Sequence, residues 1–239
     1  MEDIKLFIPE SINDISLRDY VKFMKVYESN EEIENDFLDI KVLEIFCGME
    51  YKDIVKVPMN YYNEALEMFY TVFQQKTPLV RRFSMTGTDD VQVDFGFIPN
   101  LDKISLGEYI DLTSYIDDLS NIHKAMAVLF RPVHKSWKGK EAYRVAEYEG
   151  TAEYAEAMLD MPLGVALGAK VFFYRLGTRL LAAMKSYIEK TFLQEAGTLS
   201  EEQEKALAKD MDGFNKFMPL LTEKLLTWKE QQSFQFTRR

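Results

Sequence analysis

Residues 95–132 read FGFIPNLDKISLGEYIDLTSYIDDLSNIHKAMAVLFRP, a stretch that begins as a strand and becomes two helical pieces. Ser105 followed by Glu108 has the spacing of a capping box. The serine hydroxyl accepts an orphan backbone N–H of the first turn, and the carboxylate reaches back to the serine N–H. Leu106, Tyr109, Ile110 and Leu112 then read as a helical apolar stripe, and Ile122, Ala125, Met126, Leu129 and Phe130 as a second. Pro132 is expected to stop the second helix, because its ring lacks an N–H and pushes Arg131 out of the α region. The flanking helices are expected to pack around this stretch.

Upstream, LVRRFSM and VQVDFGFI alternate with period two and are bridged by TGTDD, so a β-hairpin is expected over 79–98, with Gly87 in its turn. Val91, Val93, Phe95 and Phe97 share one side of that strand, with Gln92, Asp94 and Gly96 on the other. Nearer the start, IKLFIP reads as an edge strand ended by Pro9. Ser16 with Asp19 caps LRDYVKFMKVYE, whose Leu17, Tyr20, Val21, Met24 and Tyr27 share a face. Asn30 is the expected cap of EEIENDFLDIKVLEIFC, and Gly48 its C′ residue. YKDIVKVP reads as one helical turn before extended chain. Asn60 is then the expected cap of YYNEALEMFYTVFQQ, which is apolar on so many sides that it is expected between two layers.

Downstream, residues 132–148 read as a second hairpin or ordered loop whose tip gathers His134, Lys135, Trp137, Lys138 and Lys140 in an otherwise acidic chain. Two readings stand: a solvated turn with Trp137 folded back, or a protruding contact loop with Trp137 and Lys138 as anchors. Thr151 opens a short helix ending near Pro162. From Pro162 to Phe192 a long helical pattern follows, in which Gly164 and Gly168 allow another backbone to approach closely, within the subunit or from a neighbouring one. Lys170, Arg175 and Arg179 interrupt its apolar run, so it reads as a buried helix and not a membrane span. Ser200 with Gln203 opens a polar helix, and an amphipathic helix follows from Phe214. The tail SFQFTRR alternates Phe234 and Phe236 and ends on Arg238 and Arg239, a pattern that suits either strand addition to another chain or a disordered end. The expected class is therefore α+β and predominantly helical, with helices packed around one or two β-hairpins. Residues 1–199 form the expected core domain and 200–239 C-terminal helices with an interacting tail.

The chain has 239 residues, ample for a core, and its 47% hydrophobic and 28% charged residues argue against disorder. Its net charge of −10 repels nucleic acid and anionic lipid at long range, so tight nucleic-acid binding is not expected. The single cysteine, Cys47, excludes an intrachain disulfide, suits a reducing cytoplasm, and reads as a small buried apolar residue. The opening MEDIKLFIPES sets acids among its apolar residues, so no signal peptide is expected. Twelve Met with 17 Phe and 13 Tyr read mostly as core, with the adaptable apolar surface of the rest suited to interfaces.

Reactive constellations do not assemble from these residues. His123 and His134 are too few, and Cys47 too remote, for a zinc site. Asp111, Asp117 and Asp118 lack the glycine spacing of an EF-hand and read as a helix terminus. Thr86-Gly87-Thr88 is not a Walker loop, Gly164, Gly168 and Gly177 lack dinucleotide-binding spacing, and there is no nucleophile elbow. Neither catalysis nor a metal or cofactor is expected.

The run SLGEYIDLTSYIDDLSNIHKAMAVLFRPV at 105–133, preceded by FGFIPNLDKI, resembles a segment of small proteins from the structural gene blocks of tailed bacteriophages, crAss-like phages included. The FGFIP strand end, Gly107-Glu108-Tyr109-Ile110-Asp111, and His123-Lys124-Ala125-Met126 running to Arg131-Pro132 carry it. The N-terminal helices and the 162–192 helix fit the same pattern, whereas the part beyond Leu199 does not match. The resemblance implies a virion structural protein: a ring subunit between portal and tail, present in many copies, contacting itself and other portal or tail ring proteins. Genomic DNA would pass its acidic wall without specific binding. It equally implies a tail assembly chaperone that is absent from the finished particle. Trp137, Lys138, Gly164, Gly168, Phe234, Phe236, Arg238 and Arg239 are the expected inter-subunit contacts, with the virion, and the host cytoplasm during assembly, as locations.

Overall fold

Alternation in the 82–97 segment becomes an antiparallel hairpin: β1 (Arg82–Thr86) pairs with β2 (Gln92–Phe97) in the register Phe83↔Phe95 and Met85↔Val93. The computed structural model describes residues 7–30, 35–86, 91–100, 104–136 and 143–173, together with residues 175, 179, 186, 190 and 223. The turn at Gly87, the loop tip at 137–142 and the C-terminal tail lie outside the described residues.

The hairpin grows into a four-stranded antiparallel sheet of order β1-β2-β3-β4, with β3 (Phe130–Ser136) and β4 (Tyr143–Val145) added in sequence. Phe97↔Phe130 and Phe95↔Pro132 set the register of β3 on β2, so Phe83, Phe95, Phe97 and Phe130 come together on one face. The opposite face has Gly96, where an added Cβ would lie 2.5 Å from the Tyr143 ring. Tyr143 uses that space to donate its hydroxyl to the Phe97 carbonyl at 2.6 Å. Pro132 occupies an inner strand, a position proline rarely takes, beside an irregularity in the β3–β4 register at Val133/Lys135.

Helices precede, interrupt and follow the strands along the chain, so the class is α+β and predominantly helical. Helix α1 (Leu17–Glu28) starts at Ser16, whose hydroxyl accepts the Asp19 N–H at 3.0 Å, and buries Leu17, Tyr20, Val21, Phe23 and Met24. Helix α2 (Asn35–Phe46) ends at Gly48, which has φ +66°, and the Met49 N–H closes back onto the Leu43 carbonyl at 3.3 Å. One turn, α3 (Tyr51–Ile54), leads into α4 (Met59–Phe73). Phe23, Phe46, Phe69 and Phe73 from α1, α2 and α4 form an aromatic cluster with ring centroids 4.9–5.9 Å apart. Such pairs add to the area they bury.

Three local expectations are corrected. Helix α4 is not sandwiched: it buries Ala65, Leu66, Phe69 and Val72 and leaves Met59, Tyr61 and Met68 exposed. Its N-cap position is Pro58, and Asn60 lies in the first turn. The Asn30 amide donates to the Val26 carbonyl at 2.6 Å, and residues 31–34, where the helix it is expected to cap would open, lie outside the described residues. Phe7–Pro9 are not in a strand; the preceding part of IKLFIP lies outside the described residues.

By its contacts the chain divides into two compact units, residues 1–169 with 235–239, and residues 170–234. Helix α7 (Ala155–Met158) is followed in the chain by a helix, α8, over 163–173. The segment before α1 lies along the start of α8, with Leu163 N–H donating to Ile15 O at 2.8 Å and Leu17 N–H to Met161 O at 3.0 Å. Among the described residues, no helix is long and apolar enough to cross a membrane.

Candidate interaction surface

Helix α5 (Leu106–Tyr115) begins with both halves of the capping box. The Glu108 N–H donates to Ser105 Oγ at 3.2 Å, and the Ser105 N–H donates to Glu108 Oε2 at 2.6 Å. Helix α6 (Ile122–Leu129) packs beside α5 and passes directly into β3. It stops at Leu129, earlier than Pro132 requires, because Phe130 and Arg131 are already paired with Phe97 and Gly96.

The other oxygen of Glu108 takes a second partner. Arg131 Nη2 lies 2.7 Å from Glu108 Oε1, with the two side chains only 9% and 7% exposed. The Arg131 guanidinium also sits 5.8 Å from the centre of the Tyr148 ring, and the Tyr148 hydroxyl donates to Asp111. Burial, reinforced by that hydrogen bond, holds the Tyr148 phenol well above its usual range. Arg131 Nε is buried with no partner among the described residues. A buried carboxylate that both caps a helix and pairs with a strand arginine determines how the helix is rotated.

Positions 108, 111, 112, 115 and 116 therefore face inward: Glu108, Leu112 and Ile116 are buried, and Asp111 and Tyr115 half-buried. The opposite side carries Leu106, Tyr109 and Ile110, which are 75%, 56% and 51% exposed. The stripe read from sequence mixed two sides of the helix, since Leu112 lies across the axis from Leu106 and Ile110. Exposed single apolar residues are ordinary, but a grouped apolar face over a polar anchor marks an association surface.

A second feature lies beside β4. A cavity of about 450 Å³ is lined by His134, Arg144, Val145, Ala146, Glu147, Glu149, Glu153 and Tyr154. Tyr154 stands edge-on to Phe95 at 6.1 Å, and its hydroxyl is pushed up to about 12 by a hydrogen bond with Glu153, with burial adding to it.

Of the residues expected to meet other subunits, Gly164 and Gly168 are described, and both are used within the chain. A Cβ on Gly164 would lie 2.4 Å from Asn13 Oδ1, and one on Gly168 2.3 Å from the Pro78 carbonyl oxygen. The close approach they permit is thus already taken within the subunit, by the Asn13 and Ile12 side chains at Gly164 and by the Thr77–Pro78 backbone at Gly168. Trp137, Lys138, Phe234, Phe236, Arg238 and Arg239 lie outside the described residues. Cys47 is buried, and burial pushes its thiol up to about 11. His123 has a buried Nδ1 without a partner among the described residues, and a pKa lowered by burial, then by Lys124. Asp118 caps a 3-10 turn, accepting the Ser120 N–H at 2.8 Å. Among the described residues, no three His, Cys, Asp or Glu side chains gather as a metal site. Comparison with known proteins finds no matching family profile, no matching curated sequence and no matching solved structure.

Proposed function

We propose that this chain is a structural subunit, present in many copies, of a ring in a tailed-phage portal or tail assembly. Its negative skin would form part of the conduit through which the genome passes. The observation that carries the reading is the outward apolar face of α5, held there by the Glu108–Arg131 pair. A side chain such as Leu106 gains about 2 kcal/mol on burial, so a grouped apolar face favours contact with another surface. The 105–133 resemblance supplies the setting, and the net charge of −10 suits a wall that polyanions slide past. Closed rings need subunit faces that join repeatedly, and a rigidly rotated helix provides such a face.

Native mass spectrometry and electron microscopy of the purified full chain test this. A cyclic oligomer is expected, and the double substitution Tyr109→Asp, Ile110→Asp should dissociate it without moving the unfolding midpoint. A wild-type chain that stays monomeric at every concentration overturns the reading.

One observation favours the assembly chaperone instead. Met59, Tyr61 and Met68 are exposed on α4, and methionine-rich surface adapts to varied partners. Mass spectrometry of finished particles separates the two: the ring subunit is present in them, the chaperone absent.

A further inference from the structure

Among the described residues, ten large apolar side chains are exposed, and eight of them fall in two runs of the chain. Leu106, Tyr109 and Ile110 are on α5, and Tyr51, Val55, Met59, Tyr61 and Met68 lie between the start of α3 and the middle of α4. The α5 surface is free of charge: its exposed positions are Leu106, Gly107, Tyr109, Ile110, Thr113 and Ser114, in a chain of which 28% is charged. Both of its hydroxyls are spent within the helix, Thr113 Oγ1 donating to the Tyr109 carbonyl at 2.9 Å and Ser114 Oγ to the Ile110 carbonyl at 2.7 Å. Gly107 adds uncovered backbone. A Cβ there would meet only the Tyr148 ring, 3.9 Å away, so packing among the described residues does not require a glycine, as it does at Gly96, Gly164 and Gly168. Such a position lets the helix of another molecule approach closely.

On α4, Tyr61 and Met68 are two turns apart and share a side, with Glu64 between them. Were that side to meet its own copy across a two-fold axis, Glu64 would face a second Glu64 in a chain already at −10, which is unfavourable. Were α5 to meet its own copy, three large side chains on each would be covered, well short of the about 800 Å² per partner of a stable contact. The α4 side would also stay in water. The uncharged α5 face against the Tyr61–Met68 side avoids both faults, because Glu64 then meets no acid on the exposed positions of α5 and both apolar runs are covered. We infer that the outward face of α5 on one copy docks on the Tyr61–Met68 side of α4 on the next, head to tail. This rests on the multi-copy reading above and names the surface that α5 meets. A contact between two different faces can repeat until it closes a ring, whereas a self-matched contact alone stops at a dimer.

The test uses two full-length variants, Tyr109→Asp with Ile110→Asp, and Tyr61→Asp with Met68→Asp. Sedimentation velocity reads their association, alone and mixed. Each alone is expected to associate at least about a hundredfold more weakly than wild type, as two central apolar anchors are lost. The equimolar mixture should form a dimer of one variant with the other and nothing larger. The intact α5 of one then meets the intact α4 of the other, and the two faces left over are both spoiled.

Wild-type assembly by the Tyr61/Met68 variant overturns the inference while leaving the multi-copy reading intact. A dimer formed by that variant alone also overturns it, since α5 would then pair with itself. A mixture of folded variants that stays monomeric overturns it as well. A wild-type chain that never associates removes the multi-copy reading, and this contact with it. Should circular dichroism show the Tyr61/Met68 variant unfolded, Tyr61→Ser with Met68→Ser takes its place and the same outcomes decide.

Discussion

Helices α1 and α5 begin alike and finish with opposite faces inward. Each has a serine cap followed by leucine, yet Leu17 is 0% exposed and Leu106 75%. In α1 the first-turn N–H groups are taken up by another segment, Leu17 donating to Met161 and Arg18 to Leu159, so the helix start lies under that segment and its apolar residues turn inward. Arg18 remains at the rim and pairs with Asp160 at 2.8 Å and Glu156 at 3.1 Å. In α5 the first turn is satisfied by its own capping box, and the carboxylate of that box is claimed by Arg131. The cap thus decides where a helix starts, and the partner of its first turn decides which way it faces.

The largest expected effect tests the anchor. Arg131→Leu leaves Glu108 buried without a cation and should cost about 3–5 kcal/mol in urea unfolding. A cost below about 1 kcal/mol would mean that something else orients α5. Next comes the matched pair of leucines. Leu17→Ala should destabilise by about 2–5 kcal/mol, and Leu106→Ala should stay within about 0.5 kcal/mol. Equal losses in thermal or chemical unfolding would erase the difference between the two helices.

A pH effect sharpens the description of α1. Burial pushes the Tyr20 phenol from 10.0 up to about 12, with Glu28 adding to it. Because the folded value lies above the unfolded one, this contribution is complete below about pH 10 and is lost as pH rises through about 12. The loss is about 2–3 kcal/mol, visible as a falling unfolding midpoint alongside phenolate absorbance at alkaline pH. The smallest effect is in the caps: Ser16→Ala and Ser105→Ala should each cost about 1 kcal/mol by thermal melting.

Much of this architecture is written locally. Both serine caps, the Gly48 helix end, the β1–β2 hairpin and the alternation of Val93, Phe95 and Phe97 are set by interactions a few residues apart. Such interactions leave a spacing in the chain, and the spacing can be read. Cys47 as a buried residue and Asp118 as a cap follow in the same way.

Other features have no such spacing. Arg131 is 23 residues from the Glu108 it neutralises, and Gly96 is kept open for Tyr143, far along the chain. The one-sided burial of α4 and the early end of α6 depend on what lies opposite them, not on their own periodicity. By itself, then, the sequence determined where α1, α5 and the β1–β2 hairpin begin and what kind of fold they build. Only the tertiary structure decided which sides of α4 and α5 stay in water and which glycines are already occupied. The physical reason is that caps and turns act through neighbouring residues, whereas helix rotation is settled by buried partners brought close only when the chain folds.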